Sequence, residues 1–449
     1  MSEEIISSQF AKFSCDLRFE ELSGAHIANM KGYILDWLGS AHAGGELPSV
    51  RMIRKVAGSL GGHPESTSIP DAKKTSCLLA ALVNGASSHV VEMDDLHRES
   101  ILHPACVILP VVLALGERQH ASGQELIVAA SVGYEIGIRV ALAVGTDHYN
   151  YWHTTSTCGT YGAAAAAAKL LSLNEEQFVW AMGSAGTQAA GLWEFLADNA
   201  MSKQLHAGKA ALNGMLAALL AREGFTGARK ILEGGKGFFV ATSKNFAVNK
   251  CTDGLGEVFH SDRNSLKYYA SCGHTHSAID AVLQATQGRT FKPSEVEAVR
   301  VRVYQAAIDL LGEIEPKSPY LAKFNLPFCI ATALAYGHVR LGDFTEERLG
   351  DADLQALMAK VSFTVDPGLT KVYPRKWPAS VTIALADGRQ LRAENEYPKG
   401  DPENPLTASE LIAKFKSLTD GILSEKQADR IADRVMNMEK IADANELLT

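Results

Sequence analysis

Between His89 and Pro104 the chain reads HVVEMDDLHRESILHP, placing the acids Glu92, Asp94 and Asp95, the histidines His89, His97 and His103, and Arg98 in one short stretch. Apolar, helix-prone segments flank it, AALVNGASS before and ACVILPVVLALGE after. Charge this dense between buried segments is costly unless the groups pair with one another or with a ligand. An exposed loop between two helices would also accommodate such a charge run. We favour a polar site between helices, whose histidines exchange protons near neutral pH.

Three further segments combine polar side chains with small residues. In Trp152-His153-Thr154-Thr155-Ser156-Thr157, a histidine and hydroxyls precede GTYGAAAAAAKLL. They would open a helix whose free amides and dipole can receive an anion, or simply cap it. In SKQLHAGK, Lys203 and His206 are three apart and can share a face, offering positive charge to a carboxylate or phosphate. A solvated lysine ahead of a helix is the plainer reading. In LKYYASCGHTHSAID, Cys272, His274 and His276 resemble metal ligands, but their spacing is not a zinc pattern, and no metal is expected. The chain contains no GxSxG, P-loop, HExxH or GxGxxG motif, and the loop Glu233-Gly234-Gly235-Lys236-Gly237 is a weak substitute. Nucleotide cofactors are therefore unsupported. What remains suits cofactor-free proton chemistry on an acidic small molecule.

These residues need elements to position them. With 449 residues and 46% hydrophobic composition, the chain can bury an ample core. From about Phe19 to Glu223 it reads as successive helices. The first ends at Gly39 and Gly44-Gly45, and others cover about Ala72–His89, Ala105–Gln119 and Glu125–Gly145, then one after Asn174 and one closed by Gly224. From Asn264 to Pro402 the pattern changes. Val296–Ile308 and Lys360–Val365 alternate like strands, Asp387-Gly388 joins two more in a hairpin, and FNLPFCIATALAYGHV between the strands reads as a buried helix. Helical character returns from Thr407. The expected fold is mainly α, with an all-α domain over 1–263, completed by 403–449, and a smaller α+β domain over 264–402.

The net charge of −8 and the absence of a basic stripe argue against nucleic acid. Seven scattered cysteines read as reduced thiols of a cytoplasmic protein, and MSEEIISSQFAKF carries no apolar leader. The most apolar segment, Glu125–Gly145, has Glu135 and Arg139 four apart near its centre. That pairing favours a buried helix over a membrane span.

Taken in order, EMDDLHRESILHP, the WHTTST segment, SKQLHAGKAALNG, LKYYASCGHTHSAID, AKFNLPFCIATALAYG and DPENPLTASELIAKF resemble the MmgE/PrpD family from about Phe19 to the end of the chain. Its members include 2-methylcitrate dehydratase, cis-aconitate decarboxylase and iminodisuccinate epimerase. The resemblance implies a homodimer, a small α+β lid over the helical domain, a di- or tricarboxylate substrate, and a proton moving at a carbon beside a carboxylate. By motif it implies a catalytic set of Asp94, His103, His153, Lys203 and Lys267, with His97, Thr155, Ser156, His206, Tyr268 and His274 binding substrate. His103 and His153 would transfer protons, the lysines would clamp carboxylates, and Asp94 would orient His97 or His103. A hydro-lyase of the dehydratase type is the leading expectation. An epimerase or decarboxylase is the alternative, and a non-catalytic binding protein of the same fold a further one. The family's prolines are replaced by Thr154, Gln204 and, near Lys267, Ala270, which puts methylcitrate in particular in doubt as the substrate.

Overall fold

A computed structural model describes residues 5–198, 200–312 and 314–449. The chain is mainly helical, 59% helix against 9% strand. It divides into two compact units, one running to Asn264 and completed by Thr407–Thr449, the other Ser265–Leu406.

The first unit contains helices α1 (Ile6–Asp16), α2 (Gly24–Gly44), α3 (Pro48–Leu60), α4 (Cys77–Val90), α5 (Ala105–Gln119), α6 (Gly123–Val144), α7 (Thr154–Leu170), α8 (Glu175–Gly186) and α9 (Ser202–Arg222). Local chemistry sets several boundaries. Ser122 with Glu125, and Asn174 with Gln177, form reciprocal capping boxes at the starts of α6 and α8. The alanine run of α7 is almost completely buried, and its small side chains let α5, α6 and α9 pack directly against it. In α6, Arg139 and Glu135 are 2.7 Å apart with no exposure, and Arg139 also donates to the carbonyls of Cys251, Asp253, Gly254 and Val258. The expected pair thus fastens the irregular segment after Gly234 to the helix core. Removing one partner of such a buried pair costs about 3–5 kcal/mol.

Three expectations need correction here. The helix α2 passes through Gly39 without ending. The unit is not purely helical, because strands β1 (Ser66–Ser68) and β2 (Lys73–Thr75) pair antiparallel, which delays α4 to its Ser76 cap. Strands of three residues are too short to display an alternating pattern. Helices α1 and α3 lie outside the expected set.

In the second unit, β3 (Val296–Val303), β4 (Val361–Val365), β5 (Ala379–Leu385) and β6 (Gln390–Asn395) form one sheet in the order β4-β3-β5-β6. β3 runs parallel to β4, and the other pairs are antiparallel. Val299, Val301 and Val303 point inward while Arg300 and Arg302 point out, as the period-2 pattern requires, and a register shift between Val296 and Ala298 lets Val296 point inward too. The hairpin turn falls at Asp387-Gly388, with Gly388 at φ 86°. Helix α10 (Gly273–Thr286) covers β5 and β6, and helix α12 (Leu326–Tyr336) packs against α10. The expected strand over Val296–Ile308 stops at Val303, because Tyr304 caps a short helix, α11 (Gln305–Leu311).

Candidate functional site

The acidic and histidine-rich stretch begins at the end of α4 and returns to the start of α5, so both its ends are fixed by buried helices. It is folded inward. Glu92, Asp94, Asp95, His97 and Arg98 are each at most 4% exposed. Two non-glycine residues adopt left-handed backbone there, Glu92 at φ 60° and the β-branched Ile101 at φ 51°. Such strain persists only where the surroundings enforce it. The enforcing contacts are specific. Thr154 Oγ1 donates to the Ile101 carbonyl at 2.6 Å, the Lys203 ammonium is ion-paired to Glu92, and Lys414 Nζ donates to the Met93 carbonyl at 2.9 Å while lying 2.5 Å from Asp36.

Within this frame the histidines converge. His89 Nδ1 is 2.7 Å from Asp94 Oδ2, and His103 Nδ1 approaches the same oxygen at 3.5 Å. The ring of His89 lies edge-on to His103, with centroids 5.2 Å apart, and stacks on His153 at 5.5 Å. His103 Nδ1 is 2.6 Å from the Asp95 carbonyl. A carbonyl only accepts, so His103 carries a proton on Nδ1. His89 Nε2 is buried with no hydrogen-bond partner among the described residues. His153 caps α7 and meets His206 of α9 with 3.2 Å between their Nδ1 atoms. Trp193 lies 4.8 Å from the His153 ring and Phe195 edge-on to His206.

Burial decides the charge states. It holds His153 well below the usual imidazole range, with His89 and His206 pressing the same way, and pulls His206 down to about 4. Asp95 accepts hydrogen bonds from the Ala105 amide (3.0 Å), the Tyr134 hydroxyl (2.8 Å) and the Asn264 amide (2.5 Å). Complete burial, with Asp94 alongside, nevertheless raises its carboxyl to about 8.

The expected site residues fall into three groups. Asp94, His103, His153, Lys203 and His206 come together in the first unit. Thr155 and Ser156 are beside them, but their hydroxyls are engaged with the protein. Thr155 Oγ1 accepts the His103 amide at 3.1 Å, and Ser156 Oγ donates to the carbonyls of Ala190 and His206. His97 turns away from Asp94: its Nδ1 bonds Ser100 Oγ at 2.8 Å, its ring meets His260, and burial pulls it down to about 3. Asp94 therefore orients His89 in place of His97. The third group, Lys267, Tyr268 and His274, belongs to the second unit. There His274 bonds the Tyr304 hydroxyl at 2.6 Å and stacks on Trp377 at 4.2 Å, and burial with the nearby Lys267 charge lowers it to about 3. Lys267 is 3% exposed, while Tyr268 is 41% exposed.

Sequence reasoning left His89 and Glu92 outside the expected set. Both lie in the polar stretch, but their pairings depend on the fold: Asp94, five residues on, folds back onto His89, and Glu92 meets Lys203, far along the chain. His89, Asp94 and Cys106 also bring possible metal ligands within 4.8 Å of one another. Burial beside Asp94 pushes the Cys106 thiol well above its usual range, and its sulfur bonds the His103 carbonyl at 3.3 Å.

Comparison with known proteins matches residues 8–251 to the MmgE/PrpD N-terminal domain and residues 269–440 to the MmgE/PrpD C-terminal domain. A cis-aconitate decarboxylase of Aspergillus terreus is 27% identical over 468 residues, covering 99% of this chain and 95% of that one. The human cis-aconitate decarboxylase is 25% identical, covering 99% and 94%. A 2-methylcitrate dehydratase of Cupriavidus necator is 25% identical over 289 residues, covering 61% of this chain and 58% of its own.

Proposed function

The chain belongs to the MmgE/PrpD family, and from that premise we propose that it is a cofactor-independent lyase acting on a small tricarboxylate by moving a proton at a carbon beside a carboxylate. The observation that carries this reading is the buried cluster of His89, Asp94, His103 and His153. The His89 ring contacts those of both His103 and His153, and the Asp94 carboxylate meets His89 and His103.

The chemistry follows from the residue types. In decarboxylation, the bond to a carboxylate carbon breaks, CO₂ leaves, and the electron pair left behind takes a proton from a histidine. In dehydration, a histidine takes a proton from carbon and hydroxide leaves the neighbouring carbon with a proton from a second group. Proton abstraction needs an imidazole that is neutral near the working pH, which burial favours at His153, while proton donation needs a ring that carries a proton, as His103 does on the Nδ1 facing the Asp95 carbonyl. Correctly placed proton transfer contributes about 10²- to 10⁴-fold. The Lys203 ammonium, already paired with Glu92, would share its charge with a substrate carboxylate as negative charge develops there.

Decarboxylation is the first reading, because similarity to the decarboxylases spans nearly the whole chain. Dehydration is the second, supported by the shorter match to the dehydratase. Proton and ¹³C NMR in D₂O with cis-aconitate, citrate, 2-methylcitrate and iminodisuccinate separates them. Loss of a carboxyl carbon as CO₂ or bicarbonate, with deuterium at the product carbon, is the expected result. A new vinylic signal from a hydroxy acid would replace it with dehydration. Deuterium uptake without elimination would make the protein an epimerase. A raised melting temperature with no turnover would make it a binding protein.

A further inference from the structure

His153 and His206 face each other nitrogen to nitrogen, Nδ1 to Nδ1 at 3.2 Å, with ring centroids 5.4 Å apart. In the neutral state a ring nitrogen is either a donor or an acceptor, so this bond holds one hydrogen. One ring carries its proton on Nδ1 and leaves Nε2 bare, and the other does the reverse. The tautomers are therefore coupled: a proton arriving at one Nε2 can be answered by transfer of the shared hydrogen and departure of a proton from the other Nε2.

The two ends of the pair differ in access to water. His153 is 2% exposed and enclosed by the rings of His89 and Trp193. His206 is partly exposed and follows Leu205, which is 43% exposed. The approach of the rings is built into the backbone. The His153 amide donates to the Gly191 carbonyl at 2.9 Å, and Gly191 has φ 146°, where a side chain is strained. A Cβ there would also lie 2.6 Å from Ser156 Cβ and 3.4 Å from His206 Nδ1. Ser156 holds the other side by donating to the His206 carbonyl at 3.3 Å.

We infer that His206 is a proton relay joining the buried His153 to solvent through the Nδ1–Nδ1 bond. The inference rests on the reading that His153 exchanges a proton with substrate. For decarboxylation the flow is inward. His206 Nε2 takes a proton from water or buffer, the His206 Nδ1 proton passes to His153 Nδ1, and the His153 Nε2 proton goes to the carbon that has lost CO₂. One proton enters and one is consumed, and the shared hydrogen ends on the opposite ring, so tautomer exchange must reset the pair between turnovers. For proton abstraction the same path runs outward.

Two measurements test this. In protein labelled with ¹⁵N-histidine, long-range ¹H–¹⁵N correlations without substrate should find opposite neutral tautomers at His153 and His206. The same tautomer on both would overturn the relay whatever the enzyme catalyses. In His206→Phe, kcat should fall by about 10²-fold or more and recover with added imidazole, in a concentration-dependent way that wild type does not show. An unchanged kcat, or a fall that imidazole does not rescue in a variant melting like wild type, would also overturn it. Failure of the lyase reading would register separately, as wild type inactive on every substrate with the tautomer result unaltered.

Discussion

Replacing Gly85 by alanine tests whether helix spacing sets the site. Gly85 lies where α4, α5 and α9 meet, and a methyl group on it would come 2.8 Å from Gly208 Cα, 2.9 Å from the Cys106 carbonyl oxygen and 3.0 Å from the Gly208 amide nitrogen. All three neighbours are backbone, so no side chain can swing aside. Carbon atoms pack at about 3.5–4.0 Å, so α4 and α9 must separate by roughly 0.7–1.2 Å. Overpacking of this kind costs about 1–3 kcal/mol, offset by up to about 1 kcal/mol from the better helix propensity of alanine. The net is roughly 0–3 kcal/mol, and Tm should fall by several degrees at most. Activity should suffer more. His89 is one turn beyond Gly85, His206 is two residues before Gly208, and His103 is three before Cys106, so the wedge displaces three cluster members relative to one another. A 1 Å misplacement costs about 10²-fold in rate. The assays are thermal unfolding and kcat/KM on the active substrate, with Gly58→Ala on α3 as control. A methyl group on Gly58 would meet nothing within 4 Å, so that variant should gain up to about 1 kcal/mol and keep full activity. Gly85→Ala with wild-type kcat/KM would refute the reasoning.

Lys414→Met should destabilise the protein by about 3–5 kcal/mol in urea titrations, because it strands the buried Asp36 carboxylate and frees the Met93 carbonyl that anchors the site loop. Adding Asp36→Asn should recover part of the loss, and no recovery would show that the ion pair is not the cause. His97 is buried with its pKa lowered to about 3, so its neutral form is favoured in the folded state. Its contribution is intact above the unfolded value near 6.5 and lost as pH falls toward 3, because the unfolded chain binds the proton first. Between pH 7 and 5 that loss is about 2 kcal/mol. Asp95, raised to about 8, works in the opposite direction over the same range, so the comparison is best made by variant: His97→Gln should lose about 2 kcal/mol less than wild type between these pH values, and equal losses would contradict the assignment.

Signals confined to a few neighbouring residues were readable in the sequence. Asn174 caps α8 and Ala105–Gln119 forms α5, while Asp387-Gly388 turns a hairpin, because capping, helical periodicity and a DG turn are local. Features that depend on partners far along the chain were not. Gly39 looks like a helix stop, yet α2 continues through it because the missing side chain makes room for Leu418 and Phe415 of the helix Ala408–Thr419. Val296–Ile308 looks like one strand, but β3 ends at Val303, where Tyr304 opens a helix. The same division holds for the site. Motif order brought out His103, His153 and Lys203, whereas His89, Glu92 and the turning away of His97 follow from how the loop folds back between α4 and α5.

The most direct test of the central claim is turnover of cis-aconitate in D₂O, followed by NMR for wild type and His103→Gln at equal concentration. Wild type should release CO₂ and place deuterium on the product carbon, and the variant, folded and binding the acid, should be slower by about 10²- to 10⁴-fold. Equal rates in the two proteins would remove His103 from the chemistry and contradict the assignment of proton transfer to this cluster.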